Sequence, residues 1–271
     1  MSDLRLPEGT GSFVFYDCAA GPRRSVRVHY FHPQSSARIV IAMHGFDRAA
    51  AEFRDALVAQ AERSELIILV PEFDAEAFPD AFAYNYGNVK LSPPGATVFP
   101  RTLWNFGIID RLFQHVRIAV SSDRETFGLF GLSAGAQYVF RYLALTDAPA
   151  VDMAVAANCG WYMLPDLTVD YPVGMAGLDL DESYLRRYLK RRLIVLLGDA
   201  DTDGAAADLP RSEAAMAQGP NRLTRGLWHF ERCKQVATRL GIGLRWKLEI
   251  VPGAGHVDQQ VYDRAAEILA T

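Results

Sequence analysis

The sequence predicts an α/β fold with a mostly parallel, doubly wound sheet, helices on both faces, an antiparallel N-terminal edge and a small lid or none. Short apolar runs alternate with longer amphipathic segments from Arg38 onward, which is typical of parallel strands joined by helices. Several of the short runs are apolar throughout, as in strands buried on both faces. With 271 residues, 50% of them hydrophobic, the chain has the size of one large domain. We therefore expect a single domain over residues 1–271, with room for a short lid at 160–190.

Two alternating runs come first in the chain. Ser12–Tyr16 and Ser25–Phe31 alternate between apolar and polar side chains, which is the pattern of half-buried strands. Gly21-Pro22 lies between the two runs and signals a turn. The pair therefore predicts the antiparallel edge of the sheet.

The first alternating strand–helix units follow this edge. Their predicted elements are a buried strand at Arg38–Met43 that ends at His44-Gly45, a helix at Ala49–Arg63, a strand at Glu65–Val70 that Pro71 stops, and a helix at Arg101–Val120. Phe73–Pro100 lacks periodicity and is rich in aromatic residues and turn formers, including Pro93-Pro94-Gly95. A loop of that length in a compact domain is usually functional or mobile.

The second half of the chain continues the alternation. Its predicted elements are strands at Thr126–Phe130, Asp152–Ala157, Leu193–Leu197 and Leu244–Val251, and helices at Ser133–Leu145, Leu178–Lys190, Asn221–Leu240 and Val257–Ala270. Ligands of such sheets bind at the carboxyl ends of the strands. We therefore expect functional residues in the loops that follow the strands.

A candidate nucleophile lies in Gly131-Leu132-Ser133-Ala134-Gly135. The motif stands between a predicted strand and a predicted helix, which is the setting that a nucleophilic serine on a sharp turn requires. Side chains at Gly131 and Gly135 would collide with the neighbouring strand or helix. The alternative is a serine that only caps the helix in a glycine-rich turn.

A serine hydroxyl needs a base, and the sequence has six histidines. His256 is the best candidate, because it follows the last strand in the glycine-rich segment Val251-Pro252-Gly253-Ala254-Gly255. The other histidines lie in or beside the second predicted strand, at the end of the first buried strand or inside predicted helices; they are His29, His32, His44, His115 and His229.

The base in turn needs a carboxylate that orients it. The strand at Leu193–Leu197 is followed by three acids, Asp199, Asp201 and Asp203. We favour Asp201, because it lies a few residues past the strand, where its side chain can turn back over the sheet; Asp203 and then Asp199 are the alternatives. The resulting chain order is Ser133, Asp201, His256, the order known for nucleophilic serines in this strand–turn–helix setting.

An anionic intermediate on Ser133 would need two N–H donors. We assign one to the backbone of Ala134, next to the serine, and the other to the backbone of Phe46, in the loop after Arg38–Met43. The alternative interpretation of His44-Gly45 is a plain turn at the end of a strand.

Together these segments resemble the α/β-hydrolase superfamily over about residues 25–271. The resemblance depends on His44-Gly45-Phe46, Gly131–Gly135, Gly198–Asp201 and Gly255-His256. Within the superfamily the chain is most similar to esterases related to polyhydroxybutyrate depolymerases. The segments that carry this similarity are Tyr84–Asn88, Asn158–Tyr162 and Gln218–Arg222.

Several residues are candidates for substrate binding. They are His44 at the strand end, Tyr86 in the long loop, Trp161 and Tyr162 after a strand, and Asn221 and Arg222 after a Gly-Pro break. The aromatic residues fit ordinary loop packing equally well. A helix N-cap at Asn221 and a solvated Arg222 are the simpler interpretation of that pair.

The predicted reaction is hydrolysis of a small-molecule carboxylic ester through an acyl-enzyme intermediate. A peptidase, amidase or thioesterase on the same residues is the alternative, and a binding protein without turnover is a further one. The net charge of −4 is unlike that of a nucleic-acid-binding protein. The three cysteines are too far apart for a metal site, no cofactor is expected, and no apolar run has the length of a membrane span. We therefore expect a cytoplasmic protein, and the sequence makes no prediction of its oligomeric state.

Overall fold

One eight-stranded sheet organises the computed structural model, which describes residues 4–17, 24–34, 38–91 and 97–271. Its strands are β1 (Gly9–Asp17), β2 (Arg24–His32), β3 (Arg38–Met43), β4 (Leu66–Glu72), β5 (Phe127–Leu132), β6 (Val151–Ala157), β7 (Leu193–Gly198) and β8 (Trp246–Val251). They are ordered β1-β2-β4-β3-β5-β6-β7-β8 across the sheet. The pairs β1–β2 and β2–β4 are antiparallel, and the other neighbouring pairs are parallel.

Helices cover both faces of this sheet. They are α1 (Ala50–Arg63), α2 (Gly107–Ala119), α3 (Ala134–Leu145), α4 (Glu182–Leu189), α5 (Glu213–Met216), α6 (Arg222–Arg239) and α7 (Gln259–Leu269). Side chains of α1 and α7 pack into one hydrophobic cluster, and those of α2, α3, α4 and α6 pack into the other. Every residue of β3, β5 and β7 is buried, which explains their continuous apolar runs. The predicted fold class is confirmed.

Strand β4 continues through Pro71, where the sequence predicts its end. The parallel pairing with β3 covers only Leu66–Leu69, while the antiparallel pairing with β2 continues to Glu72. At Pro71, β4 is therefore no longer hydrogen-bonded to β3 on one side. Such a position tolerates proline, which has no backbone N–H to donate. The turn at Gly21-Pro22 and the segment Pro93-Pro94-Gly95 lie outside the described residues.

The largest shifts of a helix start from its predicted position are those of α2 and α4. Helix α2 begins at Gly107 instead of Arg101, because Trp104 is extended and its indole N–H donates to the Phe99 carbonyl at 2.9 Å. Helix α4 begins at Glu182 instead of Leu178. The carboxylate of Asp181 accepts the Ser183 N–H at 2.9 Å and so caps the helix at that point.

The segment at 160–190 packs against the core. Tyr171, Met175 and Leu178 belong to the larger hydrophobic cluster. Backbone hydrogen bonds close the loop within the segment, from the Leu164 N–H to Val173 at 2.7 Å and from the Met175 N–H to Asp166 at 2.8 Å. In the described part of the chain, none of the helices combines the length and the apolar character that crossing a membrane requires.

Candidate active site

Ser133 lies on a strained turn between β5 and α3. Its backbone has φ 55° and ψ −113°, a conformation that costs a residue with a side chain about 1–3 kcal/mol. The surroundings hold it in place, because a Cβ atom on Gly131 would lie 2.3 Å from the Gly135 carbonyl oxygen, and one on Gly135 would lie 1.9 Å from that of Met43. Only glycine at both positions allows the strand and the helix to approach so closely. The Ser133 N–H also donates to the Ala157 carbonyl at 3.0 Å.

His256 bridges Ser133 and Asp201. Its Nε2 lies 3.1 Å from the Ser133 Oγ, and its Nδ1 lies 2.9 Å from Asp201 Oδ2. Because an ionised carboxylate only accepts hydrogen bonds, the Nδ1 carries the proton toward Asp201. The Nε2 lone pair is then directed at the Ser133 hydroxyl. The three side chains form a hydrogen-bonded array that can take a proton from the serine.

The two neighbouring acids have structural partners instead. Asp199 accepts the Gly253 N–H at 2.6 Å, and Asp203 accepts the Ala205 N–H at 2.7 Å. The first bond links the loops after β7 and β8, and the second closes a turn. Of the three acids Asp199, Asp201 and Asp203, Asp201 is therefore the one that contacts the His256 ring; Asp208 Oδ2, farther along the chain, lies 3.9 Å from His256 Nε2.

Arg222 contacts two carboxylates beside this array. Its guanidinium lies 3.6 Å from Asp201 Oδ1 and 2.7 Å from Asp208 Oδ1. Partial burial raises the pKa of Asp208, but the Arg222 guanidinium, His256 and a backbone hydrogen bond together lower it, so the net pKa lies below its usual value. The prediction that Arg222 binds substrate does not fit this placement. Its side chain is 2% exposed and is directed toward Asp201.

Asn158 holds the array together, and the sequence analysis did not predict this. It follows β6 with φ 47°, and its Nδ2 donates to the carbonyls of Gly255 at 3.0 Å and His256 at 2.9 Å. Its Oδ1 accepts the Gly198 N–H at 2.9 Å. One side chain thus links the end of β7 to the loop that carries His256. The available signal was a polar residue directly after a buried strand, at the carboxyl edge of the sheet.

Two backbone N–H groups are candidates for binding an anionic oxygen. Ala134 is the first residue of α3, where a helix N–H has no acceptor within the helix and the helix dipole is positive. Phe46 lies in the loop after β3, and its ring is about half exposed. Both residues border the space in front of Ser133.

His44 supports the loop of Phe46 and is not among the residues that border the two cavities beside Ser133. Its Nε2 is 3.0 Å from the Phe73 N–H and therefore accepts, so its Nδ1 carries the proton and donates to the Gly45 carbonyl at 2.8 Å. The ring is fully buried and stacks on Tyr84 at 4.9 Å. Burial lowers the pKa of His44 to about 4, so the ring is neutral at pH 7. The predicted substrate contact at His44 is replaced by this supporting role.

Two cavities meet at Ser133. The larger, of about 520 Å³, is bordered by His256, Val257 and residues of α1. The smaller, of about 300 Å³, is bordered by Ala134, Asn85, Tyr86 and Gln137. Phe46, Ser133 and Asp208 line both cavities. A substrate can therefore extend to either side of the serine.

The remaining predicted substrate residues divide between this site and the core. Tyr86 lines the smaller cavity, and its Oη accepts the indole N–H of Trp161 at 3.0 Å, so that Trp161 supports the wall from behind. Tyr162 is buried with its ring stacked on His229 at 4.4 Å, which places it in the core. Asn221 caps α6 by accepting the Thr224 N–H at 2.9 Å, the simpler of the two interpretations.

Comparisons with known proteins relate the chain to solved hydrolase structures. No family model matches the chain, and no curated protein matches it. Poly(aspartic acid) hydrolase-1 from Sphingomonas sp. KT-1 is 34% identical, with a TM-score of 0.92 over 98% of this chain and 100% of that one. LpqC, a poly(3-hydroxybutyrate) depolymerase from Bordetella parapertussis, is 31% identical, with a TM-score of 0.88 over 97% of this chain and 89% of that one.

A more distant structure shares the fold alone. S-formylglutathione hydrolase from Agrobacterium tumefaciens is 13% identical, with a TM-score of 0.59 over 98% of this chain and 96% of that one. The sheet order, the strained turn at Ser133 and the two relatives above 30% identity lead to one assignment. The chain belongs to the α/β-hydrolase family, in the group that includes the poly(aspartic acid) hydrolase and the poly(3-hydroxybutyrate) depolymerase.

Proposed function

We propose that this protein hydrolyses carboxylic esters through an acyl-enzyme intermediate on Ser133. The observation that carries the proposal is the hydrogen-bonded array Ser133–His256–Asp201, with spacings of 3.1 and 2.9 Å, at the junction of two cavities. A serine that only capped a helix would need neither the base nor the strained backbone.

In the first half of the reaction, the Ser133 Oγ attacks the ester carbonyl carbon as His256 Nε2 takes the hydroxyl proton. The carbonyl oxygen becomes an anion that accepts hydrogen bonds from the N–H groups of Phe46 and Ala134. The bond from the carbonyl carbon to the alcohol oxygen then breaks, and His256 returns the proton to the leaving alcohol. Asp201 remains ionised and stabilises the imidazolium.

In the second half, water takes the place of the alcohol. His256 accepts a proton from the water as its oxygen attacks the acyl carbon, and the bond to Oγ breaks as His256 protonates Ser133. Because His256 must reach both the leaving alcohol and the water, we assign the alcohol side to the larger cavity, which His256 lines. The acyl group then occupies the smaller cavity beside Ala134.

Turnover of p-nitrophenyl acetate and butyrate tests the role of Ser133. We expect Ser133→Ala to lower kcat/KM by at least about 10⁴-fold, because the nucleophile is lost while binding and the N–H donors remain. Ser12→Ala, an exposed serine on β1, is the matched control and should keep wild-type turnover. Full activity in Ser133→Ala would show that another residue is the nucleophile.

Labelling with a fluorophosphonate separates an enzyme from a binding protein that lacks turnover. The reagent phosphonylates an activated serine, so we expect one adduct on Ser133 in the folded wild-type protein. The adduct should be absent in Ser133→Ala and present in Ser12→Ala. An intact, folded wild-type protein without the adduct would favour the binding protein.

Amide hydrolysis is a second candidate, and the 34% identical poly(aspartic acid) hydrolase favours it, because poly(aspartic acid) is a polyamide. The same array serves both reactions, but an amide also requires protonation of a poor amine leaving group. Esters and amides of one acyl group separate the two. We expect turnover of the ester with slower or no turnover of the amide. A kcat/KM for the amide equal to or above that for the ester would make amides the substrate class.

A further inference from the structure

We propose that Asp208 is a specificity-determining residue that favours esters of cationic alcohols over esters of neutral and anionic alcohols. The inference rests on the proposed function, because it takes the larger cavity as the place of the departing alcohol. It adds a charge preference that the Ser133–His256–Asp201 array does not define.

The Asp208 carboxylate lies where the two cavities meet. Its side chain is 63% exposed, and the residue lines both cavities. Asp208 Oδ2 lies 3.9 Å from His256 Nε2, the atom that protonates the departing alcohol on the proposed mechanism. That Nε2 is in turn 3.1 Å from the Ser133 Oγ. A charged group on the alcohol, close to the scissile bond, is therefore also close to this carboxylate.

Arg222 holds Asp208 in this position without cancelling its charge. Its guanidinium lies 2.7 Å from Asp208 Oδ1 and 3.6 Å from Asp201 Oδ1, so one positive charge is shared between two carboxylates. Partial burial raises the pKa of Asp208, but Arg222 and His256 lower it below its usual value, so the carboxylate is ionised at neutral pH. Arg222 is 2% exposed and borders neither cavity. A substrate therefore meets the carboxylate and not the guanidinium.

The larger cavity adds further negative charge. Asp47 and Glu52 also line it, and none of the described residues that border either cavity is a lysine or an arginine. Arg48 lies 4.9 Å from the centre of the Phe46 ring, but it borders neither cavity, and its guanidinium donates to two backbone carbonyls, at 2.6 and 2.8 Å. The carboxylates of this cavity therefore attract a cationic alcohol and repel an anionic one.

Three butanoate esters of matched shape test the charge preference. Butanoylcholine carries a trimethylammonium group, 3,3-dimethylbutyl butanoate has carbon in place of that nitrogen, and 3-butanoyloxypropanoate carries a carboxylate at the same position. Acid release at constant pH measures the turnover of all three. We expect kcat/KM to be about fivefold higher for the choline ester than for the neutral ester, and about fivefold lower for the anionic ester. This is the size of effect that one charge pair has in a partly solvated site.

Equal kcat/KM for the three esters, or a preference for the anionic ester, would overturn the proposal. This comparison needs only the wild-type protein, so it does not depend on whether a variant folds. Absence of turnover of all three esters, together with absence of a fluorophosphonate adduct on Ser133, would instead reject the proposed function. The two failures are therefore distinguishable.

Variants connect the preference to Asp208. Asp208→Asn removes the charge and keeps an acceptor for Arg222, so each fivefold ratio should fall to about twofold or less, the remainder being due to the other acids of the cavity. Asp208→Ala, which leaves Arg222 beside Asp201, should give the same ratios. Each ratio compares two esters on one protein, so a general loss of activity does not affect it. Wild-type ratios in either folded variant would show that Asp208 does not determine the preference.

Asp203→Asn is the matched control. It makes the same change of charge on an exposed acid of the same loop, which accepts the Ala205 N–H at 2.7 Å and borders neither cavity. We expect it to keep the wild-type ratios. Ratios reduced as much as in Asp208→Asn would attribute the preference to the overall charge of the loop and would overturn the specific role of Asp208.

Discussion

At the scale of single residues, Asn158 is hydrogen-bonded to the loop that carries His256, the proposed base. Its three hydrogen bonds reach the loops that carry Asp201 and His256. We expect Asn158→Gly to lower kcat about 10–100-fold with little change in KM, because small displacements of reacting groups have effects of this size. Glycine accepts the positive φ of this position, so the variant reports the lost hydrogen bonds and not backbone strain.

Asn158→Ala provides the comparison for backbone strain. It lacks the same hydrogen bonds and in addition places a Cβ at φ 47°, so it should resemble Asn158→Gly in kcat but unfold at a lower temperature. Steady-state kinetics and thermal melts of both proteins separate the two effects. Wild-type kcat in Asn158→Gly would show that His256 is held by its own loop.

Most of the candidate site residues were chosen from the sequence because they follow a strand. That criterion also explains which of the predicted placements were wrong. A position after a strand indicates the edge of the sheet where the side chain emerges, which was enough to indicate Ser133 and His256. It does not determine whether the side chain then points toward solvent, cavity or core. Tyr162 and Arg222 stand at that edge but point inward, to His229 and to Asp201. Hydrogen bonds between distant loops, such as those of Asn158, have no local sequence pattern.

At the scale of elements, the start of α6 links a helix cap to the Asp201 loop. Asn221 caps the helix, and the next two residues contact Asp201, through the Arg222 guanidinium at 3.6 Å and the Leu223 N–H at 3.3 Å. The cap therefore stabilises the helix turn that borders this loop.

We expect Asn221→Ala to lower the free energy of unfolding by about 1 kcal/mol, the usual effect of losing a side-chain cap. KM for butanoate esters should stay unchanged, because the side chain is turned toward its own helix. Asn221→Asp, which also caps well, should restore stability. Urea unfolding and steady-state kinetics measure the two quantities. If Asn221→Ala instead raised KM and left stability unchanged, Asn221 would be a substrate-binding residue.

Element boundaries depended on side-chain hydrogen bonds more than on periodicity. Strands buried on both faces were predicted to within about two residues at each end, because their apolar runs largely coincide with the buried stretch. The helix predicted from Arg101 began late, because hydrogen bonds from Trp104 and Asn105 tie that stretch to the preceding loop. Helix α5 was not predicted, since four residues are too few to show a period.

At the scale of the whole molecule, two buried neutral histidines make stability depend on pH. Burial lowers the pKa of His44 to about 4 and that of His229 to about 3. In the unfolded chain a histidine titrates near about 6.5, so below that pH the unfolded state binds more protons than the folded state. Stability is therefore highest above about pH 7 and falls as the pH decreases from about 6.5 toward 4.

The size of this effect is accessible to measurement. Each histidine should lower the free energy of unfolding by about 2 kcal/mol at pH 5 relative to pH 7.5. His229→Phe suits its aromatic surroundings, Phe140, Tyr162 and Trp246, and removes one of the two titrations. For His229→Phe, the free energy of unfolding measured in urea should fall between pH 7.5 and pH 5 by about half as much as it does for the wild-type protein. If His229→Phe loses as much stability between pH 7.5 and pH 5 as the wild-type protein does, His229 is not a source of the pH dependence.

Because the two cavities meet at Ser133, the molecule that occupies the larger cavity determines what accepts the acyl group. On the proposed mechanism, the departing alcohol and the incoming water use the same larger cavity, while the acyl group stays in the smaller one. A second alcohol that fills the larger cavity before water does would take up the acyl group and form a new ester. The same geometry that lets a substrate extend past the serine on both sides would thus make the protein a transacylase wherever alcohols are abundant.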